Sequence, residues 1–351
     1  MHNEDTSHRD RGARFLILAA SLVVVVAGLK AAAPLILPFL VSVFLAVISI
    51  PLLTWLQQRK VPTALAVIVT VLVDIAVLVA LGLVVGRSVN EFTAAAPRYQ
   101  QRIQGLVTAT MGALEARGVD TSEWRQLQFL NPGALFDMVG STLSAVTSVL
   151  SNTFLVLLTL IFILFEATAL PRKLRAAFGG RSEYTDRLAI VTRQIQRYLA
   201  IKTLISLATG VLAGLWVGLL GLGVPLLWGL IAFIFNYIPN LGSIIAAVPP
   251  ILLALMQFGV WRAVGVAAGY VAINVVLANF LEPYLMGRRL GLSTLVVFMS
   301  LVFWGWVWGP VGMLLSVPLT MVVKIALENT ADLRWIAVML DPNPAERKSE
   351  G

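Results

Sequence analysis

PLLWGLIAFIF (225–235), NYIPNLG (236–242) and SIIAAVPPILLALM (243–256) form one apolar run cut by a polar, proline-containing break, and the reading of this stretch decides the fold. Each apolar half falls short of the roughly 20 residues that a bilayer-spanning helix needs. Asn236, Pro239, Asn240 and Gly242 interrupt it, and a backbone opened there has no hydrogen-bond partner in lipid. The pattern predicts a re-entrant helical hairpin, with two thin crossings as the alternative. Either way the chain returns to the side from which it entered. A second run of this kind, Leu295 to about Ala326, is cut at Gly309 and Pro310.

Outward from these breaks the chain keeps the same character. Of its 351 residues 58% are hydrophobic and 13% charged, against about half and about a quarter in a soluble protein. The sequence predicts an all-α polytopic membrane protein with six spanning helices and two broken hairpins. The expected spans run from Phe15 to about Ala33, Leu35 to Trp55, Val61 to Val85, Phe154 to Phe165 within one long helix from Pro132 to Leu170, Leu204 to Leu222, and Val264 to Phe280. Gly210, Gly214 and Gly218 lie four apart in the fifth span, a spacing that lets helices pack closely.

The net charge of +8 is explained by topology and not by nucleic acid, because the positive side chains flank apolar spans. Arg9, Arg11 and Arg14, then Arg59 and Lys60, then Arg172 through Lys202 mark cytoplasmic segments, so both termini are expected there. Residues 86–138 carry balanced charge and read as an extracytoplasmic helical cap. The expected organisation is therefore 1–85 (tail and three spans), 86–138 (cap), 139–170 (long transmembrane helix), 171–202 (basic segment), 203–327 (core with broken helices) and 328–351 (cytoplasmic tail). Within the basic segment Tyr184, Leu188, Val191, Ile195 and Leu199 share one helical face, the pattern of a helix lying in the lipid interface. No cleaved signal peptide is expected, since a second apolar run follows the first at once.

The chain has no cysteine, and its two histidines, His2 and His8, lie in the polar tail. No intramembrane metal site, cofactor site or nucleophile–base pair can be assembled from such residues, and an enzyme is not expected.

Three blocks resemble the autoinducer-2 exporter family of bacterial inner-membrane proteins: Leu227-Trp228-Gly229 leading to 236–243, NFLEPYLMGRRLGLS (279–293) and FWGWVWGPVGMLLSVP (303–318). They occur in the family's order and spacing, and the asparagine block is most similar to the autoinducer-2 transporter branch. The resemblance implies a bacterial inner-membrane transporter that exports autoinducer-2 or a similar small polar solute. It equally admits a sodium or lithium ion/proton antiporter, since the family includes both. It also implies a homo-oligomer, for which a pentamer is expected; long extramembrane helices and glycine faces offer packing surface to spare.

The polar residues within the apolar runs then become candidates. Asn236, Tyr237 and Asn240 suit a small hydroxyl-rich solute, or else cap the hairpin turn. Asn274 and Asn279 join them as candidate binding residues, or bond across helices. Asp74, alone in the run Val71 to Val77, is a candidate for proton coupling. Glu282 is either a second proton or ion site or one half of a clasp with Arg288 or Arg289. Pro239, Gly242, Pro283, Gly309 and Pro310 are the structural breaks, and Phe303, Trp304, Trp306 and Trp308 form an interfacial belt or a gate. A passive channel explains the same breaks without needing Asp74 or Glu282, so proton-dependence separates the two. A scaffold whose outer cap binds partners is a further reading.

Overall fold

The computed structural model describes residues 17, 20, 21, 23–116, 153–177, 182–239, 241–286, 292–328, 330 and 334–340. The described residues form helices and turns with no strand. In chain order they are α1 (23–31), α2 (Ala33–Gln58), α3 (Thr63–Glu115), α4 (Thr153–Ala177), α5 (Ser182–Leu219), α6 (Pro225–Phe235) and α7 (Gly242–Phe258). There follow α8 (Val260–Asn274), a π-helical segment (Val275–Leu281), α9 (Glu282–Met286), α10 (Thr294–Glu328) and α11 (Arg334–Met339).

Six of these stretches are long and apolar enough to cross a membrane: Ala33–Gln58, Thr63–Arg87, Thr153–Leu170, Thr192–Leu219, Val260–Met286 and Thr294–Glu328. The first five answer to expected spans; the sixth is the second broken run. The first expected span, from Phe15, falls partly outside the described residues, and its described part is helical up to residue 31. Leucines and aromatics such as Leu72, Phe162, Leu215, Leu219 and Trp261 are exposed around the outside. That inside-out surface is what a hydrocarbon solvent requires.

Pro34 opens α2, where its missing N–H costs nothing. Lys60 turns the chain in the left-handed region between α2 and α3. Helices α2, α3 and α4 share a core of Ala46, Leu53, Ala66, Val67, Leu160 and Leu164. Beside it the buried Ser42 hydroxyl lies 2.7 Å from the Pro38 carbonyl and 2.9 Å from that of Val156, tying α2 to α4.

Helices α5 and α6 cross almost backbone to backbone. A Cβ added at Gly210 would stand 2.7 Å from the Gly229 carbonyl oxygen, and one at Gly214 3.4 Å from the Gly229 Cα. The glycine spacing thus serves packing of the hairpin's first arm. Trp216, two residues further on, lies against Gly269 and donates to the Gly265 carbonyl at 3.1 Å, fixing α8 alongside.

Both broken runs fold back on themselves. In the first, α6 and α7 pack together across the turn 236–241. In the second, Gly309 has φ 64° and ψ −146°, which divides α10 into arms 294–308 and 310–328. The Trp304 indole N–H then reaches the Thr320 hydroxyl at 3.1 Å. Sixteen residues along one straight helix would separate them by about 24 Å.

Four boundaries differ from the sequence reading. Helix α3 runs without a break from the third span to Glu115, so residue 86 marks a change of hydropathy and not the start of a separate element. Helix α4 continues through Pro171 to Ala177; the part expected before Thr153 lies outside the described residues. Helix α5 is a single 38-residue helix, so the basic amphipathic stretch is the extension of a crossing and not a separate helix lying flat. The C-terminal tail also holds α11, whose Ala337 is buried and whose following Leu340 carbonyl accepts from the Ser293 N–H at 3.1 Å.

Candidate functional site

One face of α5 is buried from Tyr198 to Val217, through Lys202, Ile205, Ser206, Thr209 and Ala213. Steps of three and four residues keep these positions on one side of a helix. The apolar members of its far half, with α6 and α8, make the core around Trp228 and Val266. The polar members meet the turn of the first hairpin.

Asn236 ends α6 and is buried; its amide donates to Ser206 Oγ at 3.0 Å. Its carbonyl oxygen lies 3.5 Å from the Ser243 hydroxyl, which donates to Asn274 Oδ1 on α8 at 2.8 Å. Tyr237 donates to Thr203 Oγ1 at 2.8 Å, and Phe44 and Phe233 meet its ring edge-on at 5.5 and 5.7 Å. Amides and hydroxyls from four elements therefore converge at the turn. Such groups both accept and donate, so the set can exchange partners with a hydroxylated solute without any change of charge.

The turn depends on its breakers. Pro239 cannot continue a helix hydrogen-bond ladder. A Cβ at Gly242 would overlap the Phe235 carbonyl, so the second arm starts close to the first arm's last turn only because residue 242 is glycine. Asn240 lies outside the described residues.

Glu282 sits at the junction of the π-helical segment and α9. Its backbone N–H bonds to the Leu277 carbonyl, five residues back, and Pro283 follows without an N–H. Its carboxylate takes Lys202 Nζ at 2.8 and 3.0 Å. The two side chains are 6% and 17% exposed, so this is an ion pair largely withdrawn from solvent. Breaking such a pair from one side typically costs about 3–5 kcal/mol. Glu282 is thus paired with Lys202, and the clasp expected with Arg288 or Arg289 falls on residues outside the described ones.

Asp74 lies apart from this network, on α3. One oxygen accepts from Ser49 Oγ of α2 at 2.8 Å, and the other is buried without a hydrogen-bond partner. Asn279, in the π-helical segment, is exposed and does not join Asn274 at the turn. At the second hairpin Trp304 and Trp308 are buried and stack at 4.9 Å, with the Trp308 indole donating to the Leu29 carbonyl at 3.0 Å. Trp306 is exposed beneath Lys30, 4.5 Å from the ring centroid. The aromatic cluster thus divides into two buried packing residues, Trp304 and Trp308, and two exposed ones, Phe303 and Trp306. Among the described residues no group of three or more His, Asp or Glu side chains could hold a metal.

The sequence reading did not single out Lys202, Thr203, Ser206, Ser243 or Ser49. For Lys202 and Ser206 the signal was helical phase: residues 198, 202, 205, 206 and 209 fall on one face, and Lys202 is the last cation before a long apolar stretch.

A bundle of membrane-length helices whose buried polar groups collect where a helix is broken has the build of a solute-moving membrane protein. Residues 18–332 match the family model described as AI-2E family transporter, and the chain belongs to that family. It is 41% identical over 329 residues to the AI-2 transport protein TqsA of Escherichia coli K12, covering 94% of this chain and 96% of that one. It is 36% identical over 340 residues to the putative transport protein YhhT of the same strain, covering 97% of each. A putative transport protein of Haemophilus influenzae is 38% identical over 337 residues, covering 93% of this chain and 96% of that one. The protein is a multi-pass membrane transporter and not an enzyme.

Proposed function

We propose that this transporter exports autoinducer-2, or a similar small hydroxyl-rich solute, across the bacterial inner membrane, with solute movement coupled to a proton or ion. The observation that carries this reading is the buried set of Asn236, Ser206, Ser243, Asn274, Tyr237 and Thr203 at the turn of the first hairpin. Neutral donors and acceptors in a site screened from water favour a neutral polar molecule over an anion or an apolar one. The likeness to a relative named for autoinducer-2 transport supports the choice of solute. The sequence reading adds Asn240 to the solute-contacting residues, and Asp74 and Glu282 are the carboxylates available for coupling.

The reading places the termini, residues 57–60 and residues 171–202 in the cytoplasm and residues 86–138 outside. On that orientation the two hairpins are re-entrant and enter from opposite faces. The assembly is a homo-oligomer, taken as a pentamer.

A second reading, sodium or lithium ion/proton antiport, draws on the unpaired oxygen of Asp74 within a span. Purified protein in liposomes, assayed side by side for autoinducer-2 efflux and sodium-driven proton movement, separates the two. Efflux is expected, and Asn236→Ala is expected to reduce it about fivefold or more, because a buried hydrogen bond of this kind is worth about 1–3 kcal/mol. Sodium-driven proton movement without efflux would establish the antiporter instead. Unchanged efflux in Asn236→Ala would return the asparagine to turn-capping.

A further inference from the structure

We propose that the Lys202–Glu282 pair is the proton-loading site of the transport cycle, with the π-helical segment 275–281 as the hinge through which loading moves α9. The proposal deepens the reading above, on which it rests for its solute, by choosing between the two carboxylates and naming the cation opposite the chosen one.

The geometry distinguishes the two carboxylates by what they touch. Asp74 contacts Ser49 of α2, and among the described residues no side-chain hydrogen bond leads from that pair to the hairpin turn. Glu282 holds Lys202, whose chain neighbour Thr203 holds Tyr237, and Ser206 one turn further holds Asn236. A displacement of α5 at Lys202 is therefore felt at both hairpin side chains within about 6 Å of helix axis.

The groups facing Glu282 are few. From α5 come Lys202, Tyr198, which lies within electrostatic range of Glu282 and Tyr237, and Arg197, whose guanidinium reaches the Leu285 carbonyl at 3.4 Å. From the hairpin turn, Tyr237 lies within electrostatic range of Tyr198 and is bonded to Thr203. The π-helical segment VVLANFL contributes no titratable side chain, and on α9 itself Tyr284 points outward, exposed. On α10, Lys324 has Glu328 3.8 Å away. Among the described residues Glu282 is thus the one carboxylate in its surroundings, and Lys202 the one cation bonded to it.

Loading is a proton transfer with no redox step. A proton from the adjoining aqueous side forms an O–H bond on one Glu282 oxygen, and the Lys202 ammonium keeps its three protons. The pair passes from net zero to +1. A buried cation that has lost its counter-charge must find water or new acceptors. The phenol oxygens of Tyr198 and Tyr237 and the Thr203 hydroxyl are the acceptors near at hand, and engaging the latter two competes with the Tyr237–Thr203 bond that holds the hairpin turn.

The backbone is suited to yield at this place. Hydrogen bonding shifts to the five-residue π pattern between Asn274 and Glu282, and Pro283 removes the next donor. An interruption of the regular ladder there lets α9 shift relative to α8 without breaking a full helical turn.

The test uses the full-length protein in liposomes, with autoinducer-2 counterflow at equal pH as one arm and the response of that flux to an imposed pH gradient as the other. Glu282→Gln alone and Lys202→Gln alone each strand a buried charge and are expected to assemble poorly. The double variant restores neutrality and is expected to assemble and carry measurable counterflow that no longer responds to the gradient. Asp74→Asn should keep the response. If the neutral pair fails to assemble, the exchanged pair, Lys202→Glu with Glu282→Lys, preserves net charge and is expected to shift the pH at which the response is half-maximal. A wild-type response in the neutral double variant, an unshifted one in the exchanged pair, or loss of the response in Asp74→Asn would overturn the proposal. Counterflow that ignores the gradient in the wild type would overturn it while leaving the solute assignment standing. Absence of counterflow with intact gradient-driven proton uptake would remove the solute assignment, and Glu282→Gln/Lys202→Gln must then abolish that uptake for the pair to stand.

Discussion

The two broken helices use the same steric device and opposite chemistry. In each, a glycine at the start of the returning arm lies against a carbonyl of the outgoing arm: Gly242 against Phe235, and Gly312 against Trp304. A side chain at either place would occupy the carbonyl's position. The turns then diverge. The first is lined by amides and hydroxyls satisfied across helices from α5 and α8. The second is closed by a single glycine with positive φ and by two stacked indoles whose N–H groups are already committed, to Thr320 and to Leu29. Close return of a helix thus needs glycine whatever surrounds it, whereas exchangeable polar groups are found at one turn only. On these grounds the proposed function assigns solute contact to the first hairpin and support to the second.

Substitutions can break or sharpen this contrast. The largest effect is expected from Gly242→Ala and Gly312→Ala, each forcing a methyl onto a backbone carbonyl. Overpacking of this kind costs about 1–3 kcal/mol, and here it falls on an atom that cannot rotate away. Both variants should lose most of their monodisperse yield in size-exclusion chromatography; a normal yield for either would remove the shared steric device. Next, Trp304→Phe deletes the indole N–H bonded to Thr320 and should lower thermal stability by about 1 kcal/mol while leaving efflux intact. If efflux fell as is expected for Asn236→Ala, both hairpins would have to contact solute. The smallest effect belongs to Asn279→Ala, expected within about 0.5 kcal/mol and without change in transport, because that side chain is exposed.

The breaks themselves were legible because asparagine, glycine and proline within an apolar run have few other uses. Helix continuity was not. At residue 86 and near residue 203 the hydropathy changes while the backbone does not, since a membrane boundary acts on side chains and a helix needs only unbroken hydrogen bonding. Pro171 misled for a related reason: it marks the end of an apolar stretch, yet α4 passes through it. At the site, Asn236, Tyr237, Asn274 and Glu282 could be picked out as polar residues out of place in lipid. Lys202 could not, because it stands at the end of a basic run whose charges already had an explanation in topology. Only the phase of α5, read together with Tyr198 and Ser206, sets it apart.

The uninterrupted α3 also has a mechanical consequence. Its 53 residues make a rod about 80 Å long, of which the hydrocarbon core of a bilayer takes up about 30 Å. The remainder is a lever arm. Rotating it by about five degrees at the membrane carries the far end through roughly 4 Å. Pro97, ten residues beyond Arg87, is the one proline in the rod and so its natural articulation. A load applied short of that joint is passed to the α2–α4 packing as torque, whereas one applied beyond it is partly absorbed by bending.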